Sequence, residues 1–207
     1  MHVNPEPEKR RTQKERTEST REALIAAARR LFTERGYENV GTEEIVRAAG
    51  VTRGALYHHF GDKASLLDAV YARIEAESTE RVARVVLGSE LHSPLDAMKA
   101  GIEAFLEECA QPELRQIALH DAPAVLGWER WREIGAVNGL GLIEASLTAA
   151  IEAGEIRDVP VRPTAHLLMG ALDEAAMLLA RDARPEARAE VTDVLVTLLE
   201  SFAVESP

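Results

Sequence analysis

The stretch Thr42–Lys63, TEEIVRAAGVTRGALYHHFGDK, reads as two short helices joined by a tight turn. Thr42 is suited to cap the first helix. Glu43 and Glu44 stand in its first turn, where the helix dipole favours negative charge. Ile45, Ala48 and Ala49 give it a narrow apolar stripe. Gly50 follows, the residue type that best accepts a left-handed stop, and Val51 plugs the turn. Thr52 then caps a second helix, Arg53 to Phe60, on which Leu56 and Phe60 share a docking face. Two short helices across a glycine-containing turn form the helix-turn-helix signature, whose second helix enters the DNA major groove.

The exposed side of that second helix carries DNA-binding chemistry. Thr52, Arg53, Tyr57 and His58 offer hydroxyls, a guanidinium and an imidazole to phosphates or base edges. Gly54 and Ala55 are small enough to let the backbone approach DNA. A merely solvated face is the weaker reading, because such faces are usually rich in Lys and Glu. Asp62 is a good N-cap for a further helix. Lys63 in its first turn opposes the dipole, which makes sense if a phosphate sits at that helix end. Upstream, Ser19-Thr20-Arg21-Glu22 fits a capping box. It begins a helix with a Leu24, Ala28, Leu31, Phe32 stripe that ends at Gly36. Residues 1–16 contain Pro5, Pro7 and the run KRRTQKER. They read as a polar tail or as a basic arm, with Arg10 and Arg11 reaching the backbone or minor groove.

From about Thr17 to Leu67 the sequence resembles the DNA-binding domain of TetR-family transcriptional repressors. The resemblance is carried by Ala26, Ala27, Leu31, Phe32, Gly36, Tyr37, Thr42, Ile45, Ala48, Gly50, Val51, Gly54, Leu56, Tyr57, Phe60, Lys63 and Leu66-Leu67. The rest of the chain matches that family in length and helical character. The resemblance implies a repressor role, a helix after Asp62 linking the DNA-binding domain to the body, and release from DNA by a ligand.

Charge is divided along the 207 residues. Residues 9–63 hold 12 Lys/Arg against 8 Asp/Glu, whereas residues 64–207 hold 12 against 25. A basic N-terminal third on an acidic body can orient the molecule on a polyanion, so the net charge of −11 is no argument against DNA. No run approaches the ~20 apolar residues of a membrane span. The charged N-terminus carries no apolar signal segment, so a cytoplasmic protein with no membrane partner is expected. Cys109, the single cysteine, reads as a small buried hydrophobe.

The remainder reads as helices. One begins at Asp62 and reaches about Val86. Ser93-Pro94 starts another with Leu95, Met98, Ile102, Phe105 and Leu106 on one face. A short helix spans Leu114–His120, and Pro123 and Gly127 bound a turn. A long helix from Trp128 ends near Gly154. Gly135, Gly139 and Gly141 in its interior point to close packing or room for a ligand. Pro163 and Arg184-Pro185 start the last two helices. Both are apolar around much of their circumference, as helices at a two-fold interface must be.

A small-molecule pocket is mostly apolar with a few placed polar groups. Phe105, His120, Trp128, Trp131, Asn138, Met169, Asp173 and Met177 have suitable chemistry, though each suits ordinary core packing too. No metal motif appears among the six histidines. His120 and Asp121 point about 100° apart on a helix, and His166 reads as a core or pocket histidine. No nucleophile elbow or phosphate loop is present, so no catalytic residue or cofactor is expected.

The expected molecule is all-α. A flexible basic arm (1–16) precedes a three-helix helix-turn-helix DNA-binding domain (17–63) and a helical ligand-binding and dimerisation domain (64–207). It binds double-stranded DNA at a palindromic operator and pairs through its two C-terminal helices. It is released by a small-molecule effector. An architectural or activating DNA binder without an inducer, and a helical enzyme, are the alternatives.

Overall fold

The computed structural model describes residues 13–88, 93–182 and 184–204. The described regular structure is helical, and the chain falls into two compact units, the first ending at Val70 and the second beginning at Tyr71. Arg10 and Arg11 lie outside the described residues.

In the first unit α1 runs Gln13–Arg35 and buries Leu24, Ile25, Ala27, Ala28, Leu31 and Phe32. It begins a turn and a half before the expected capping box at Ser19. The segment QKERTEST contains neither Gly nor Pro and is made largely of good helix formers, so helix continues back through it. α2 (Thr42–Ala49) is capped by the Gly41 backbone, without a side-chain bond, so Thr42 is its first residue and not its cap. Its buried residues are Ile45 and Val46, while Ala48 faces solvent. The stripe is turned by about one residue from the expected one, because Val46 and not Ala48 meets the core. Gly50 takes φ 67°, and the Val51 N–H closes on the Val46 carbonyl at 3.0 Å, a stop that a Cβ would strain. α3 (Arg53–Phe60) is capped by Thr52, whose Oγ1 accepts from the Ala55 N–H at 3.2 Å. Leu56 is fully buried and anchors it. α4 (Lys63–Val86) starts under an Asp62 cap, with Oδ1 accepting from the Ser65 N–H at 2.7 Å. Its first eight residues belong to this unit.

The second unit holds the rest of α4, then α5 (Pro94–Ala110), a π-helical segment (Leu114–Asp121), α6 (Ala122–Leu126), α7 (Trp128–Glu152), α8 (Val161–Arg181) and α9 (Ala187–Glu200). Ser93 caps α5, its Oγ accepting from the Asp96 N–H at 3.1 Å. Pro123 bounds no turn; it sits in the first turn of α6, where its missing N–H costs nothing. α8 starts at Val161 behind Pro160, two residues before the expected Pro163. α9 starts at Ala187, after a turn at Pro185. α5 packs on α7, α8 and α9 around Met98, Leu147, Ala150, Ala165 and Leu199. At Gly101 a Cβ would lie 2.8 Å from Val86 Cγ2, so α4 and α5 approach closely there. The Arg157 N–H donates to the Phe202 carbonyl and the Val204 N–H to the Glu155 carbonyl, tying the end of the chain to the α7–α8 loop.

One described helix, α7, is long and apolar enough to cross a membrane by length and composition, contrary to the expectation that none would be. Its apolar residues are interrupted by glycines, and Trp131, Ile134, Leu147 and Ala150 are buried against the rest of this unit. The two C-terminal helices leave large apolar side chains exposed, among them Leu167 (76%) and Leu178 on α8 and Val194 (60%) and Leu198 on α9.

Candidate functional site

α3 presents Thr52, Arg53, Gly54, Tyr57 and His58 to solvent, and a Cβ at Gly54 would meet nothing closer than the Thr52 hydroxyl at 3.9 Å. Arg53 is not extended. Its guanidinium donates to Tyr57 Oη at 3.4 Å and to Glu43 Oε1 at 3.3 Å, and lies 5.5 Å from the Tyr57 ring centre. The Tyr57 phenol is drawn below its ordinary pKa by the Arg53 hydrogen bond first and by a hydrogen bond with Thr42 next. Thr42, Glu43, Arg53 and Tyr57 therefore form one exposed polar chain from the start of α2 to the middle of α3. Such exposed contacts hold weakly and exchange readily for a stronger acceptor. His58 and His59 stand edge to face at 5.5 Å. The Arg21 guanidinium of α1 lies 5.5 Å from the Phe60 ring centre, fastening the far end of α3.

Lys63 is placed differently from the expectation. Its Nζ donates to the Tyr37 carbonyl at 2.9 Å and the Val40 carbonyl at 3.0 Å, and sits 3.8 Å from the Tyr37 ring centre. The ammonium that opposes the α4 dipole is compensated by two carbonyls and an aromatic face within the protein. It ties the first turn of α4 to the loop between α1 and α2.

The second unit holds a partly open cavity of about 150 Å³ lined by α4, α5, the π-helical segment, α7, α8 and α9. A cavity of about this size holds a small aromatic molecule. Four of the eight proposed ligand residues line it: Phe105, Trp131, Met169 and Asp173. Trp131 is held by its indole N–H, which donates to the Ala118 carbonyl at 2.7 Å. Gly135 and Gly139 lie against the Met169 methyl, where a Cβ would be 3.6 and 3.7 Å away, whereas Gly141 faces open space. The other four do not line the cavity. Trp128 is half exposed and stacks on Trp131 at 4.8 Å. Asn138 donates back to the Ile134 carbonyl, and Met177 lies further along α8. His120 is exposed, and its Nδ1 meets Asp121 Oδ1 at 3.0 Å. The expected divergence of those two neighbours fails because both side chains can lean together at the end of a π-helical turn. His166 is exposed, neither core nor pocket. Among the described residues no group of three His, Cys, Asp or Glu stands together as a metal site.

Sequence reasoning named Asp173 but missed the other charged groups of the cavity, Arg132 and Glu75. Arg132 reaches Asp173 Oδ2 at 2.9 Å. Burial pushes the Asp173 carboxyl up to about 6 against the pull of Arg132. Glu75 on α4 is pushed up to about 7 by burial, with a hydrogen bond from Tyr71 opposing and the Asp173 charge adding to the rise. Tyr71 and Cys109 are both raised, chiefly by burial. Tyr71, Glu75, Ser78 and Val82 recur every three to four residues along α4, so that helix turns one continuous face to the cavity. That recurrence was the available signal.

A helix-turn-helix with an aromatic and cationic recognition face in one unit, and a lined cavity in a separate helical unit, define a DNA-binding transcriptional regulator. Known proteins agree. The family model described as bacterial regulatory proteins, tetR family, matches residues 24–70, and the tetracyclin repressor-like C-terminal domain matches residues 95–202. The chain belongs to the TetR family, and the likeness extends well past the N-terminal segment that alone resembled it in sequence. It is 30% identical over 177 residues to the HTH-type transcriptional repressor Rv1474c of Mycobacterium tuberculosis, covering 84% of this chain and 90% of that protein. It is 28% identical over 167 residues to the transposon Tn10 TetC protein of Escherichia coli, covering 79% and 81%. A TetR-family regulator from Pectobacterium atrosepticum of solved structure is 34% identical, with a TM-score of 0.82 over 95% of this chain and 100% of that one.

Proposed function

We propose that this chain is a homodimeric repressor that holds a palindromic operator through its first unit and leaves it when a small molecule fills the cavity of the second. The observation that carries this reading is the solvent-facing set Thr52, Arg53, Gly54, Tyr57 and His58 on a helix capped and anchored as a recognition helix. The repressor direction is supported by the relatives described as repressors, Rv1474c among them.

In this reading Arg53 exchanges Glu43 and Tyr57 for a base edge, the bidentate donor that guanine O6 and N7 accept. Thr52 keeps its hydroxyl proton for a phosphate while its oxygen caps α3. Tyr57, His58 and Thr42 hold the backbone, and Arg10 and Arg11 add sequence-independent affinity. Lys63 acts by fixing the α1–α2 loop. Two copies pair through α8 and α9, whose exposed Leu167, Leu178, Val194 and Leu198 a monomer would leave in water. The two α3 helices then enter successive major grooves about 34 Å apart. Effector binding acts only through differential affinity for the bound and released forms. The helix α4 carries both Lys63 and the cavity residues Tyr71 and Glu75, and we assign the transmission to it.

Selection of bound sequences from a random DNA pool by the full chain tests the reading. A symmetric site with half-sites one helical turn apart is expected. An unsymmetric pool, or no enrichment, would contradict it.

A further inference from the structure

The cavity holds three charged side chains, and they do not balance. Arg132 is committed to Asp173 at 2.9 Å. Glu75, one turn along α4 from Tyr71, faces the same space, and among the described residues no second cation lines it. The groups that face it are Tyr71 on α4, Cys109 on α5, Arg132 on α7 and Asp173 on α8. The single proton of Tyr71 is shared between Glu75 and the Trp131 carbonyl, which its Oη meets at 3.3 Å. The other polar groups of the lining are the neutral hydroxyls of Ser78, Thr79 and Ser146, none of which can balance a carboxylate charge. A buried carboxylate without a counter-ion is costly, and the cost is removed either by a proton or by a cation.

We infer that the effector is a small amphipathic cation: an apolar body of about monocyclic size, seated among Phe105, Trp131 and Met169, with one ammonium group on Glu75. This rests on the reading of the cavity as the effector site. An anionic ligand would find only Arg132, already neutralised by Asp173, and would face Glu75 across about 150 Å³ of largely apolar space. A neutral ligand would leave the Glu75 carboxyl to its proton and gain at most a neutral hydrogen bond from it, weaker than a charge-assisted one. An ammonium group displaces that proton, so its binding weakens as the solution is acidified below about 7, where Glu75 in the empty cavity takes up a proton.

The test uses one ring with three charges: phenethylammonium, 2-phenylethanol and phenylacetate, titrated calorimetrically into the full-length protein at pH 8 and pH 6. At pH 8 the ammonium compound is expected to bind at least about tenfold more tightly than the alcohol, with phenylacetate weakest. Between pH 8 and pH 6 its advantage should fall at least about tenfold, as the ionised fraction of Glu75 does, with partial protonation of Asp173 acting in the same direction. Glu75→Gln should abolish the preference, and its retained binding of 2-phenylethanol would report an intact cavity. Equal binding of ammonium and alcohol, preference for phenylacetate, or an unchanged preference in Glu75→Gln would overturn the inference while leaving the cavity as a binding site. Failure of all three compounds to bind the native protein would overturn both this inference and the effector-site reading beneath it.

Discussion

The two units of this chain concentrate their chemistry in opposite ways. In the first, the informative groups are exposed, cationic and aromatic, and they lie within one short helix and its cap. In the second, they face inward and are partly acidic, and they come from six helical segments spread over more than a hundred residues of sequence. A surface that meets a polyanion can be built locally, because exposed groups need only a rigid helix beneath them. A cavity needs walls from many directions and must neutralise whatever charge it encloses. The comparison separates what local sequence can reveal from what only tertiary packing creates.

The apolar α8–α9 surface gives the largest expected effect. Leu167→Glu with Val194→Glu should yield a monomer in sedimentation equilibrium and lower operator affinity about 10²-fold or more, through loss of bivalent attachment. A dimer surviving both changes would put the interface elsewhere. Lys63→Met comes next. Loss of two charge-assisted bonds to the Tyr37 and Val40 carbonyls should cost about 3 kcal/mol in thermal or urea unfolding. The slope of operator affinity against salt should stay nearly unchanged. A slope reduced by about one with stability intact would restore the phosphate contact first expected of this lysine.

Glu75→Gln probes the cavity as a source of strain. The carboxyl is raised to about 7 in the folded chain against an ordinary value near 4.5. The folded state therefore binds more protons than the unfolded state between those values, and the native protein loses stability as pH rises through that window. Relative to the native protein the variant should gain stability from pH 5 to pH 8, on the order of 2 kcal/mol, in paired unfolding curves. A pH-independent difference would mean that Glu75 ionises freely. The smallest effect is expected at Glu43→Gln, which removes the exposed partner of Arg53 and a negative charge from the DNA-facing surface. Binding should tighten severalfold on operator and random DNA alike, as measured by fluorescence anisotropy.

The all-helical class, the helix-turn-helix and the family were legible in sequence because they depend on short-range signals: Gly50 at a left-handed stop, Thr52 capping α3, Leu56 beneath it, Asp62 before α4. Errors at element edges have the same local origin. Thr42 had capping chemistry, yet Gly41 took the position with its backbone and left the hydroxyl to Tyr57. The cavity was half legible. Phe105, Trp131, Met169 and Asp173 line it, whereas His120 and Trp128 share their composition but face solvent. Glu75 and Arg132 passed unremarked because charged residues on helices usually face water, and only the arrangement of neighbouring helices turns these inward. The carbonyl partners of Lys63 were not foreseen, since Tyr37 and Val40 are more than twenty residues away in sequence.

Operator recognition is assigned above all to Arg53 on α3. The most direct test is the ratio of affinities for the selected operator and for random DNA, measured by anisotropy at one fixed salt concentration for the native protein and for Arg53→Ala. That ratio is predicted to fall by roughly tenfold or more, with random-DNA binding changed far less. An unchanged ratio would contradict the assignment of Arg53 as the residue that reads the operator.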